Sequence, residues 1–140
     1  MKRPRVLLAD DHRVVAEGLR GLLDPHFEVV GIVSDGRELV SAAKKLDPDA
    51  VVLDISMPSL NGIEAARQLR RANCRAKVIF LTMHAEVSYA VLGLDAGASG
   101  YLLKHSASSE LITAIREALQ GGTYITPQIA GNLLHSLRPG

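Results

Sequence analysis

The stretch that decides the reading is "AVVLDISMPSLNG", residues 50–62. Its first four residues are apolar and run straight into one carboxylate, Asp54, before Pro58 and Asn61-Gly62 turn the chain. A short continuous apolar run bounded by turn residues is the pattern of a strand covered on both faces. An acid at the end of such a strand has an ordinary explanation, as the first solvated residue. Whether Asp54 carries chemistry depends on what the other strands deliver beside it.

The same unit recurs outward from this stretch. Apolar runs at 6–9, 29–33, 50–53, 78–81 and 101–103 alternate with segments of helical periodicity. In the fourth such segment Val87, Ala90, Val91 and Leu94 fall at i, i+3, i+4 and i+7, one apolar stripe. In the fifth, Leu111, Ile112, Ile115 and Leu119 make another, stopped by Gly121-Gly122. Residues 14–23 and 62–72 are similar, and 36–45 are the weakest. Turn signals at Asp24-Pro25, Asp35-Gly36, Asp47-Pro48 and Asn61-Gly62 separate the units. Five βα units joined by right-handed crossovers make an α/β fold, a doubly wound parallel sheet with helices on both faces.

Bulk properties agree. A chain of 140 residues, 47% apolar and 22% charged, is one ordinary globular domain. A net charge of +1 gives no argument for nucleic acid or an anionic membrane. The basic start at Lys2, Arg3 and Arg5 resembles a signal peptide, but Asp10 and Asp11 stop the apolar run that follows. No run reaches the roughly 18 apolar residues of a membrane span. A single cysteine, Cys74, forms neither an internal disulfide nor a metal cluster, which fits a reducing cytoplasm.

In open parallel sheets, ligands sit outside the carboxyl ends of the strands where the strand order reverses. Asp10 and Asp11 end the first strand, Asp54 the third, Thr82 the fourth and Lys104 the fifth. With the order 2-1-3-4-5 all of them converge on one edge. Each alone has a bland account: a helix-capping acid, a β-branched strand end, a surface lysine. Together they do not. At 4 Å and an effective dielectric near 20, each carboxylate pair costs about 4 kcal/mol before screening, which a bound divalent cation offsets. Hard oxygen donors suit Mg²⁺, and His12 alone reads as an exposed side chain. A hydroxyl and an ammonium nearby suit an incoming oxyanion, so Asp54 is placed as a nucleophile toward a phosphoryl group.

The blocks "LLADDH", "VVLDISMPSLNG", "VIFLT" and "GASGYLLK" resemble, in order and spacing, the signature of the two-component response-regulator receiver domain, in its NarL/FixJ (LuxR-type) branch. The resemblance implies a flavodoxin-like fold and phosphorylation of Asp54 by a sensor histidine kinase. It implies Mg²⁺ held by Asp11, Asp54 and the Ser56 backbone carbonyl, with Asp10 acting through water. It also implies Thr82 as the switch hydroxyl, Lys104 as the phosphate-binding lysine and Tyr101 as the aromatic that rotates on activation. His105 departs from the proline that follows this lysine in many receivers, so a trans peptide and a shifted Lys104 are expected there.

The same resemblance divides the chain into a receiver, 1–123, and a linker helix, 124–140, leading toward a DNA-binding output domain absent from the sequence. Expected partners are the kinase and a second copy in a homodimer, with DNA only through that output and no membrane. The protein is then a switch without an outside substrate. A stand-alone receiver acting by protein–protein contact is the alternative. A metal-dependent aspartyl phosphatase fits worse, since its acid two residues after the nucleophile is missing. A flavodoxin-like cofactor binder fits worse too, because "DDHRV" would repel a phosphate. In the tail, Thr126 reads as a cap, Pro127 as the first helical residue, and Leu133 and Leu137 as a stripe buried against the receiver itself, a second copy or an output domain.

Overall fold

The structure is a computed structural model and describes residues 3–55, 57, 61–83 and 85–137. The elements alternate as read: β1 (Arg5–Ala9), α1 (Arg13–Leu23), β2 (Glu28–Val33), α2 (Gly36–Leu46), β3 (Ala50–Asp54), α3 (Gly62–Arg71), β4 (Lys77–Thr82), α4 (Val87–Asp95) and β5 (Gly100–Leu103). A 3₁₀ turn (Lys104–Ser106), α5 (Ala107–Leu119), β6 (Tyr124–Ile125) and α6 (Pro127–Ser136) complete the chain. The strands form one parallel sheet in the order β2-β1-β3-β4-β5-β6. This is the expected flavodoxin-like sheet, extended by a strand that the sequence does not announce. At two residues, β6 is too short to show a period.

The continuous apolar runs are explained by alternation across the sheet. Leu7, Val51, Leu53, Phe80, Tyr101 and Leu103 point into one core with α2, α3, α4 and α6. Val6, Leu8, Val52, Ile79, Leu81 and Leu102 point into the other with α1 and α5. No helix of the described residues is long and apolar enough to cross a membrane.

Two of the turn signals act as helix starts. Asp35 Oδ1 accepts from the Glu38 amide at 2.8 Å, and Asn61 Oδ1 from the Glu64 amide at 2.9 Å. Gly62 is required where it stands. A Cβ there would lie 2.6 Å from Leu53 Cδ1 and 2.7 Å from the Asp54 carbonyl oxygen, so only glycine lets α3 seat against the end of β3.

Two stripes differ from the sequence reading. On α4 the buried positions are Ala90 and Gly93, while Val91 is 51% exposed. The helix lies so close that a Cβ at 93 would be 3.0 Å from the Tyr101 ring, and the small residues therefore mark the contact face. On α6, Ile129 is wholly buried and Leu133 packs against the same core, but Leu137 is 78% exposed. The helix ends at Ser136, so Leu137 sits past the end of the stripe.

Candidate functional site

β1 and β3 end side by side, with Ala9 paired to Leu53, so Asp10 and Asp54 emerge together. Both are only 3% exposed. Lys104, following β5, reaches over the intervening β4. Its Nζ donates to Asp54 Oδ2 at 2.9 Å and lies 3.2 Å from Asp10 Oδ2. Peptide bonds among the described residues are all trans, and His105 does not displace Lys104 from the acids. Burial alone would lower the Lys104 pKa; the hydrogen bond and charge of Asp54, with Asp10 beside it, outweigh burial and hold it above the ordinary lysine value.

Asp11 sits at the rim with a side chain 32% exposed. Ligand atoms of Asp10, Asp11, His12 and Asp54 all lie within 4.8 Å of one another. Asp10 Oδ2, although beside Lys104, has no aligned hydrogen bond among the described residues. A buried carboxylate oxygen left short of a donor, in a set dominated by hard oxygens, fits a divalent cation such as Mg²⁺. Ser56 lies outside the described residues.

His12 is the residue that sequence reasoning undervalued. Its ring is 64% exposed, as expected, yet Nδ1 is 3.3 Å from both Asp10 Oδ1 and Asp11 Oδ1. Its amide donates to Asp10 Oδ1 at 2.8 Å. The available signal was adjacency: the first residue after two acids, at the N-terminus of α1, is placed to fold back on them.

Thr82 ends β4 fully buried, its strand neighbour being Leu103 just before Lys104. Tyr101 is not among the charged groups. It lies two residues back from Leu103, wholly buried beneath α4, with its ring edge-on to Phe80 at a centroid distance of 6.2 Å. Its hydroxyl approaches Thr82 without forming an aligned hydrogen bond. Burial pushes the phenol pKa up to about 12, the Thr82 hydroxyl pulling the other way. The sheet edge therefore carries a largely buried charged cluster, with a buried hydroxyl ending β4 and a buried aromatic in β5 beside it.

Comparison with known proteins agrees with this geometry. The family model described as the response regulator receiver domain matches residues 6–116. Among curated relatives, the transcriptional regulatory protein DegU of Brevibacillus brevis is 40% identical over 136 residues, covering 96% of this chain and 58% of that protein. The transcriptional regulatory protein LiaR of Bacillus subtilis (strain 168) is also 40% identical, covering 96% and 64%. The chain thus spans about three fifths of the length of these relatives. The crystal structure of a LuxR-family two-component response regulator from Aurantimonas sp. SI85-9A1 superposes with a TM-score of 0.92 at 36% identity, covering 96% of this chain and 98% of that one. With the fold, the strand-end acids and these matches in agreement, the chain belongs to the response regulator receiver domain family of two-component systems, in its LuxR-type branch.

Proposed function

We propose that Asp54 accepts a phosphoryl group from a sensor histidine kinase and that the acyl phosphate switches the face formed by α4 and β5. The observation that carries this reading is the Lys104 ammonium seated 2.9 Å from a carboxylate that is almost fully buried. An Asp54 oxygen attacks phosphorus, the bond to the donor breaks, and the donor leaves with the electron pair, as imidazole from phosphohistidine or acetate from acetyl phosphate. Lys104 then exchanges a carboxylate oxygen for a phosphoryl oxygen as its partner.

Asp11, Asp54 and the Ser56 carbonyl would hold Mg²⁺, with Asp10 acting through a water. Bound there, the ion supplies positive charge against the charge on the phosphoryl oxygens. In this reading Thr82 donates its hydroxyl to the new group and Tyr101 follows it inward; the burial of both on neighbouring strands supports it. Nothing in this sequence of events turns over an outside substrate. The curated relatives are transcriptional regulators, which supports transcriptional control through an output domain as the whole protein's role.

The test is direct. Incubation with acetyl phosphate and Mg²⁺ adds one phosphoryl mass, removable by hydroxylamine, and Asp54→Asn abolishes it. Persistence of the label in that variant overturns the assignment. Chelation of Mg²⁺ or Asp11→Ala blocks labelling while leaving the fold intact.

A further inference from the structure

Thr126 stands at the N-cap of α6, yet among the described residues its hydroxyl caps no amide of its own helix. That hydroxyl is spent elsewhere, and the reason lies in how the sheet ends. β6 pairs only Gly100 and Tyr101. The Thr126 amide continues the ladder by donating to the Tyr101 carbonyl at 3.0 Å, but its own carbonyl has turned to accept from Ala130 and start α6. The next amide on this edge of β5, that of Leu103, is thereby left without a backbone acceptor from β6. Thr126 Oγ1 takes that place at 3.3 Å, in a residue 3% exposed. One residue therefore ends the sheet, begins α6 and holds the amide immediately before Lys104.

α6 touches the other arm of the site as well. Asn132 Nδ2 donates to the Ala85 carbonyl at 3.3 Å, in the segment between Thr82 and α4. Ile129 and Leu133 pack in the cluster that contains Tyr101, Leu103 and Ala90.

We propose that Thr126 is a positioning residue: its hydroxyl on the Leu103 amide makes the setting of α6 depend on what Lys104 holds at Asp54. The inference rests on Asp54 being the phosphoacceptor. When the ammonium re-seats on a phosphoryl oxygen, a shift of the Leu103–Lys104 backbone passes through one hydrogen bond into the first residue of α6. Coupling of this kind is reciprocal, so the state of α6 also biases the phosphorylated form.

The experiment uses the full 140-residue chain with and without acetyl phosphate and Mg²⁺, reading acyl phosphate by mass and amide exchange along 129–136. In the unsubstituted protein, phosphorylation changes exchange in α6 and at the Leu103 amide by about fivefold or more, the lower bound of typical coupling. Thr126→Val still takes up phosphate, but its α6 difference between the two states falls below about twofold; Thr126→Ser restores it. A helix merely anchored by Thr126 would loosen equally in both states and keep its difference, which overturns the proposal. So does an unchanged Leu103 amide on phosphorylation of the unsubstituted chain, a reading that needs no variant to fold. Absence of phosphate uptake by that chain instead overturns the phosphoacceptor reading, and the mass measurement reports it separately.

Discussion

α5 and α4 are neighbours along the chain on opposite faces of the sheet, and they are built in opposite ways. α5 buries Ala107, Leu111, Ala114, Ile115 and Ala118, interlocked with Ile79, Leu81 and Leu102. It is also tied to β6 by the Tyr124 hydroxyl, which donates to Glu110 Oε1 at 2.7 Å. α4 buries only Ala90 and Gly93, and turns Tyr89, Val91 and Leu92 outward. Among the described residues it has no acid within its first turn and no base in its last, and Asp95 ends it, so the negative end of its dipole faces a like charge. Few buried apolar contacts mean a low cost of local opening. Lys104 is set at the start of the firm wall, while Thr82 and Tyr101 lie under the loose one. A switch needs that asymmetry: a fixed post to hold the phosphoryl group and a movable cover to report it.

The largest expected effect tests the firmness of α5. Leu111→Ala empties a fully buried site and costs about 2–5 kcal/mol, whereas Leu92→Ala on α4 stays within about 0.5 kcal/mol. Urea unfolding monitored by circular dichroism measures both. Equal losses would erase the contrast between the two walls.

Next in size is the fixed post itself. Lys104→Met leaves the buried Asp10 and Asp54 carboxylates facing each other without their cation. The loss without metal is about 1–3 kcal/mol, below that of a fully buried pair because Lys104 keeps some exposure. Mg²⁺ at saturating concentration recovers more stability in this variant than in the unsubstituted chain. A variant that is equally stable with and without Mg²⁺ would show that the acids hold no cation.

The two walls also carry tyrosines whose phenols are both pushed up to about 12, for different reasons. Under α4, Tyr101 is raised chiefly by burial; beside α5, Tyr124 is raised chiefly by its hydrogen bond to Glu110. In both, the folded state favours the protonated phenol. Their contribution to stability is complete below pH 10 and is lost as pH climbs from 10 toward 12. Lys104, also raised, adds a loss in the same direction above its ordinary value of 10.5. Glu110→Gln removes the charge that raises Tyr124 and brings its titration down toward 10, leaving Tyr101 where it was. Ultraviolet absorbance against pH follows both transitions; a Tyr101 transition that moves with Glu110 would join two regions that the fold separates.

How much of this was legible in the sequence follows from where each signal resides. The buried strands were readable because both faces are covered, so hydropathy alone marks them. The meeting of Asp10, Asp54 and Lys104 was readable because strand ends in a parallel sheet share an edge. β6 carried no period, and the Thr126 hydroxyl finds its partner 23 residues away, across a strand pairing no local pattern encodes. On α4 the pattern misled. Hydropathy chose Val91, but the buried face is set by how closely the helix approaches, and glycine is silent on a hydropathy scale.

That silence gives the smallest prediction, Gly93→Ala. Alanine gains about 1 kcal/mol over glycine in a helix interior. Against this, its methyl would lie 3.0 Å and 3.1 Å from Tyr101 Cε2 and Cδ2, and 3.2 Å from Phe80 Cδ2. Ring edges give way by a few tenths of an ångström more easily than backbone does, so the overpacking cost sits at the low end, about 1 kcal/mol. The two contributions nearly cancel, and the melting temperature moves by only a few degrees. The ring does not escape as lightly. Both rings are fully buried, but Tyr101 takes the two shortest of these contacts, so Tyr101 yields first. Its hydroxyl moves toward solvent, and its ionisation falls from about 12 toward 10. Absorbance titration of Gly93→Ala, with Tyr101→Phe to assign the transition, reads that shift. A phenol still titrating near 12 beneath the added methyl would mean that α4 had moved aside instead, locating the compliance of this face in the helix and not in the ring.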